Sequence, residues 1–264
     1  MRKIISVLLL LTLVFFSGCI QPTRKGEGVT LKLKRVPPDS QIEPYIPVTV
    51  TAELENTGEM DARNIEVRLT VAKDWSVSPS YVQRIDMLER ADLARELKGG
   101  MDFKTWELKP PSNLHKEQTY DINVEVTYDY STVLEGRMRV VSIDYYQVTG
   151  KKGGVVFQTY TSGPIKISIS PVNMIVSRSK VSLRLNFENV GKGRVKGNIL
   201  SVSTTGITCN NDKVRLGDDG KGQLACWIQT GEVETYEEFP VSVKADYTYT
   251  ISQTTTVTVL RGIS

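Results

Sequence analysis

Apolar residues recur at every second position through most of this chain from Val29 onward. A period of two puts alternate side chains on opposite faces of an extended strand, one face for a core and one for water. Val29, Leu31 and Leu33 alternate with Thr30, Lys32 and Lys34. Ile46 to Leu54 alternates again and stops at Glu55-Asn56-Thr57-Gly58, which has turn chemistry. Ile65 to Val71 obeys the same rule, and Trp75 with Val77 and Met101 to Leu108 read as further extended pieces. Between Tyr120 and Tyr130 the alternation is cleanest, with Ile122, Val124, Val126 and Tyr128 on one face and Asp121, Asn123, Glu125, Thr127 and Asp129 on the other. Segments rich in Val, Ile, Thr and Tyr and separated by turn signals predict half-buried antiparallel strands and an all-β fold.

Two stretches carry their own expectations. Arg84 to Lys98 holds Ile85, Leu88, Leu93 and Leu97 at spacings of three to five. This predicts one or two turns of helix stopped by Gly99-Gly100, with a loop between strands as the alternative. Arg137 to Val148 reads as the extended end of a first block, with Val155 to Tyr160 pairing back on Ile143 to Val148.

The second half of the chain repeats the first. Val181 to Gly191 parallels Val48 to Gly58, sharing apolar-Glu-Asn-x-Gly after an alternating strand: Phe187-Glu188-Asn189-Val190-Gly191 against Leu54-Glu55-Asn56-Thr57-Gly58. Later in each block Asn123 to Tyr130 parallels Ser242 to Tyr249, each ending in Tyr-x-Tyr. Asn and Gly tolerate the backbone of a tight turn, and tyrosines two apart share one strand face. Both motifs therefore read first as scaffold. Two copies of a block of about seven short strands predict two tandem immunoglobulin-like antiparallel β-sandwiches. The Asn-x-Gly turn and Tyr-x-Tyr strand resemble the CARDB-type and related immunoglobulin-like modules of archaeal and bacterial surface proteins. That resemblance implies an extracellular adhesion or interaction module with no catalytic residues to carry over.

Ahead of the repeats stands a different kind of segment. Arg2 and Lys3 precede an apolar run from Ile4 to Phe16, and Ser17, Gly18 and Cys19 come next. Charged start, apolar centre and small residues before a cut are the layout of a secretory signal. Cysteine directly after Ser-Gly resembles the lipobox of exported lipoproteins, which implies lipid attachment at Cys19. About thirteen apolar residues reach only about 20 Å as a helix, short of a hydrocarbon core of roughly 30 Å. A retained membrane helix and a plain cleaved signal stay open beside the lipidated reading; all three place the chain outside the cell. The expected organisation is a signal peptide over 1–18, a lipidated tether over 19–28, a first sandwich over 29–149, a linker or hairpin over 150–163, and a second sandwich over 164–264.

The formal charge is +3, and two of those charges leave with Arg2 and Lys3. A near-neutral, scattered balance offers nucleic acid no electrostatic footprint. With Cys19 given to lipid, Cys209 and Cys226 remain as a pair, expected to join as a disulfide in an oxidising compartment. Two free buried thiols are the alternative. The spacing of the two cysteines predicts a local clamp across a hairpin whose turn is Gly217 to Gly222.

Chemistry is sparse. His115 is the only histidine, in a polar loop without neighbouring metal ligands. No Cys-x-x-Cys pair, G-x-S-x-G elbow or P-loop is present. Asp212, Asp218 and Asp219 are oxygen donors that a calcium ion would accept, but also ordinary turn residues. Glu232, Glu234, Glu237 and Glu238 form a run that reads as a solvated loop. No cofactor, metal site or catalytic residue is expected. The expected function is that of a non-enzymatic, lipid-anchored surface module on the extracellular face, with an envelope protein or glycan as partner. A ligand- or carbohydrate-binding accessory is the alternative, favoured by a pocket lined by Trp75, Trp106 or Trp227 and disfavoured by three buried tryptophans.

Overall fold

The computed structural model describes residues 27–176 and 179–262. The signal segment and Cys19 lie outside the described residues. In chain order the first block supplies β1 (Val29–Val36), β2 (Gln41–Ile42), β3 (Val48–Asn56), β4 (Ala62–Thr70), β5 (Ser76–Ser78), β6 (Val82–Leu88), β7 (Met101–Lys109) and β8 (Gln118–Ser142). A short helix α1 (Ile143–Thr149) and β9 (Gly154–Tyr160) come next. The second block supplies β10 (Ile165–Asn173), β11 (Ile175–Val176), β12 (Lys180–Asn189), β13 (Arg194–Val195), β14 (Ile199–Thr205), β15 (Thr208–Cys209), β16 (Lys213–Arg215), β17 (Lys221–Gln229) and β18 (Tyr236–Val259).

The fold is all-β and immunoglobulin-like. Each block forms one four-stranded antiparallel sheet: β1-β3-β7-β5 in the first, β10-β12-β17-β15 in the second. Both sheets face a single ten-stranded sheet built from the two blocks together, with the central order β16-β14-β18-β8-β4-β6. Its spine is a pair of very long strands. β8 and β18 run antiparallel over 24 residue pairs, from Tyr236 opposite Val141 to Val259 opposite Gln118.

Alternation explains why one strand serves two sandwiches. Every even-numbered residue of β8 from Tyr120 to Val140 is buried, and the odd-numbered ones between them are not. On β18 Val241, Val243, Ala245, Tyr247 and Tyr249 are buried, and so are Val257 and Val259. This dry face is continuous on β8 and on β18 lapses from Ile251 to Thr255 before resuming at Val257, and both four-stranded sheets pack on it. The outer edges divide between the blocks. The first half of β8 pairs with β4 and its second half with β9. The first half of β18 pairs with β14, and its end pairs with β2 of the first block. Each long strand thus begins in its own block and ends in the other.

Three local expectations resolve differently. Arg84 to Lys98 is no helix: Ile85 and Leu88 lie on β6, and Asp92 to Leu97 is a tight turn closed by a bridge between its ends. Ile85 and Leu88 belong to the sheet, and Glu96 takes a left-handed backbone (φ 59°) that ends any helical run. Ile143 to Val148 is helical rather than extended, because Ser142 caps it: its Oγ accepts from Tyr145 N at 3.1 Å, and Gly150 closes the far end at φ 67°. β9 consequently pairs further back, with Leu134 to Arg139.

Candidate functional site: a tyrosine lattice, a polar groove and an open edge

The two repeat motifs meet at the centre of the shared sheet. Register places Tyr247 opposite Tyr130 and Tyr249 opposite Tyr128, flanking the central pair Asp129 and Thr248. The four rings form a closed lattice on the dry face, with neighbouring centroids 5.9 to 6.3 Å apart at steep angles. Edge-to-face rings at this distance attract through their quadrupoles.

Each hydroxyl takes up polarity that the sandwich buries. Val29 N donates to Tyr128 Oη at 3.2 Å, and Met60 N donates to Tyr130 Oη at 3.2 Å. Gly193 N donates to Tyr249 Oη at 3.0 Å, and Tyr247 Oη lies 2.8 Å from Thr132 Oγ1. Burial pushes all four phenols above their ordinary range, Tyr249 to about 12. They are neutral donors and acceptors at any physiological pH.

The Asn-x-Gly motifs sit against this lattice. Asn56 Oδ1 accepts from Gly58 N at 3.1 Å, and Asn189 Oδ1 accepts from Gly191 N at 3.2 Å. A Cβ on Gly58 would collide with the Tyr130 hydroxyl, and one on Gly191 with the Tyr249 hydroxyl. Glycine is required by this close approach. The motif is therefore half of an Asn–Gly–Tyr corner whose other half lies about seventy residues on in the first block and sixty in the second. The matching order of the two motifs in the sequence was its only outward sign.

The opposite, wet face carries a groove of about 700 Å³ over the same centre. Asp61, Arg63, Asn64, Asp129, Lys244 and Asp246 line it. Its polar groups are largely bonded to each other. Asn64 Nδ2 donates to Asp129 at 2.9 Å, Thr248 Oγ1 to Asp129 at 2.7 Å, and Ser131 Oγ to Asp246 at 2.6 Å. Eight residues further along the same pair of strands, Glu238 pairs with Arg139 at 2.6 Å and Arg137 at 3.5 Å. The Arg139 hydrogen bond holds the Glu238 carboxyl below its ordinary range. Glu237 and Glu238 thus belong to strand β18, not to a loop.

The remaining candidates from the sequence are scattered. Cys209 and Cys226 form a disulfide. It joins edge strand β15 to β17, where the two cysteines are direct cross-strand partners. The expected hairpin is replaced by an excursion. Between the cysteines the chain crosses to the shared sheet as β16, where Val214 is buried, and the Gly217 to Gly222 turn brings it back. Asp219 Oδ1 caps that turn by accepting from Lys221 N at 3.1 Å. Among the described residues no group of three His, Cys, Asp or Glu side chains is arranged to hold a metal. His115 is exposed. Trp75 and Trp106 are buried, Trp106 donating to Ser80 O at 2.7 Å, while Trp227 is half-buried beneath the Lys180 ammonium. None of the three indoles lines the polar groove.

No protein-family model matches the chain, and no curated sequence is significantly similar to it. Solved structures resemble it only distantly. The D0-D1 domain of intimin is 11% identical, with 88% of this chain and 99% of that one covered and a TM-score of 0.23. The envelope protein VP37 of White Spot Syndrome Virus is 10% identical over 46% of this chain and 98% of its own, also at 0.23. The collagen adhesin of S. aureus is 11% identical over 90% and 94%, at 0.14. The immunoglobulin-like fold stands on the strand pairing and burial above. No helix among the described residues is long and apolar enough to cross a membrane.

Proposed function

We propose that this protein is a non-enzymatic, lipid-anchored interaction or structural module of the cell envelope, of the CARDB-like kind, held outside the cell by a lipid on Cys19. The observation that carries this reading is what the repeated polar residues do. Asn56, Asn189, Tyr130 and Tyr249 all bond inward to the scaffold and stiffen it where the two blocks meet. A chain that spends its repeated polar signatures on rigidity is a platform, and its working surface is its exterior. The N-terminal Ser17-Gly18-Cys19 supplies the means of mounting it. Buried Trp75 and Trp106 argue against the aromatic-lined pocket that a carbohydrate-binding accessory would use.

Intact mass of the protein from the membrane fraction of its native host tests the reading. A chain beginning at Cys19 and heavier by a lipid is expected. A chain still carrying Met1 to Gly18 overturns the anchor.

A further inference from the structure

The shared sheet has an unusual edge. Among the described residues, four edge strands are seven residues or longer: β1, β6, β9 and β10. Three carry the residues that keep edges from pairing with other chains. β1 has Lys32, Lys34 and Arg35; β6 has Arg84 and Asp86; β10 has Lys166 and Pro171. β9, Gly154-Val155-Val156-Phe157-Gln158-Thr159-Tyr160, has no charge and no proline. Among the described residues its backbone ladder is with β8 alone, the Gln158 side chain accepting from Ile169 N of β10 at 3.0 Å, and Val156, Phe157 and Tyr160 are exposed at 44%, 48% and 39%.

The two ends of this edge differ in charge. At the Gly154 end stand Lys151, Lys152 and Arg139, with Arg137 opposite mid-strand Phe157, against Glu238. At the Tyr160 end a cleft of about 400 Å³ opens between β9 and the 90–92 turn, lined by Glu59, Asp92 and Glu135 against Arg90. A second copy laid antiparallel on β9 brings each lysine end to the other copy's acidic cleft. A parallel arrangement would bring like to like.

We propose that β9 is a self-pairing edge, through which two copies of this chain join antiparallel into one sheet that runs through both molecules. Main-chain hydrogen bonds along β9 supply the attraction, and the lysine-to-carboxylate contacts at both ends set direction and partner. The inference gives the interaction surface proposed above a partner. It rests on the geometry and charge of this edge, so it stands or falls separately from the lipid on Cys19.

The experiment is sedimentation equilibrium of the full-length chain in detergent micelles. The unmodified protein is expected to dimerise. Thr159→Lys, which places a charge on the edge, should raise the dissociation constant by at least about tenfold. Lys152→Glu and Glu135→Lys, both on exposed side chains, should each weaken self-pairing. A one-to-one mixture of these two variants should restore it, because the altered ends then meet as opposite charges. A monomer at every accessible concentration overturns the proposal. So does a dimer indifferent to Thr159→Lys, which places the contact elsewhere, or a variant mixture that fails to recover, which removes the antiparallel arrangement. Amide protection of β9 appearing only when an envelope protein is added to a monomeric chain would assign the edge to a different strand donor and overturn self-pairing.

Discussion

The two Asn–Gly–Tyr corners grow from the same short motif and end up unequal. In the first, Asn56 is fully buried, and its Nδ2 donates to Met60 O at 2.8 Å and to Leu88 O and Glu89 O at 3.1 Å. In the second, Asn189 is half-buried, donates to Gly193 O at 2.8 Å, and accepts the Tyr249 hydroxyl at 2.8 Å. The reason lies in the connection that covers each motif. The first block joins β6 to β7 through Glu89 to Gly100, and the start of this segment folds over Asn56, so that Leu88 and Glu89 offer it two carbonyls. The corresponding connection in the second block is the short Gly217 to Gly220 turn, which meets Asn189 through its backbone. The tyrosines diverge in the same sense. Tyr130 passes its hydrogen to Ser162 O, beyond β9, so its corner also ties the first block to the segment that leads into the second. Tyr249 closes a triangle inside its own block. A repeated motif thus fixes a corner's geometry, while the loop above it decides how deeply the corner is buried.

The largest effect should come from breaking the deeper corner. Asn56→Ala strands the Gly58 amide and takes a donor from Met60 O and Leu88 O in a dry site, while Glu89 O keeps the Gly100 amide; it is expected to cost about 3 kcal/mol in urea unfolding. Asn189→Ala, with water at hand, should cost about 1 kcal/mol. Equal losses would show that burial does not separate the two.

Next comes the disulfide, which reinforces the block with the shallower corner. Cys209 and Cys226 are 17 residues apart, and a loop near that length contributes about 3 kcal/mol. Replacing both by Ala should lower the unfolding midpoint accordingly, with hydrogen exchange rising first in β15 and β17.

A smaller, graded effect is expected from alkali. The folded phenols titrate above the unfolded value of about 10, so the native state holds their protons longer than the unfolded chain does. Their contribution is intact below about pH 10 and is lost as pH rises from there through the folded values. Tyr249, at about 12, should ionise before Tyr130, whose pKa is higher. Ultraviolet titration of Tyr249→Phe and Tyr130→Phe assigns the order. The smallest effect is at the rim: Glu238→Gln should leave the unfolding midpoint unmoved, since its partners Arg137 and Arg139 are exposed.

Much of this fold is legible in residue order. Strands announce themselves because their period matches the pleat, and the Asn-x-Gly and Tyr-x-Tyr motifs mark the repeat. The sharing of one sheet is present in the same signal and easy to stop short of. The alternation that begins at Tyr120 does not end at Tyr130 but continues through Thr132, Leu134, Gly136, Met138 and Val140. A threonine and a glycine on the apolar face disguise it, though both are buried. Around Arg84 to Lys98 the pattern misleads in the other direction, since leucines three to five apart fit a helix until Ile85 and Leu88 are claimed by a sheet. The Asn–Gly–Tyr corner is hidden for a different reason: its halves lie far apart in sequence, and only the fold brings a glycine without Cβ under a phenol. Cys209 and Cys226 can be paired on paper, but the passage of β16 through the opposite sheet depends on Val214 reaching the core, which spacing does not encode.

The exchange of β8 and β18 also sets an order of events. The C-terminal half of β18 is a central strand of the first block's sheet, and Val259 lies against Ile42. A polypeptide made or threaded from its N-terminus therefore emerges with its first block missing a strand, and cannot complete it until residue 259 has arrived. Until then β8 presents the unpaired edge that β18 will occupy over 24 residue pairs. The interval between the first block and the last strand is when this chain is most exposed to pairing with the wrong partner.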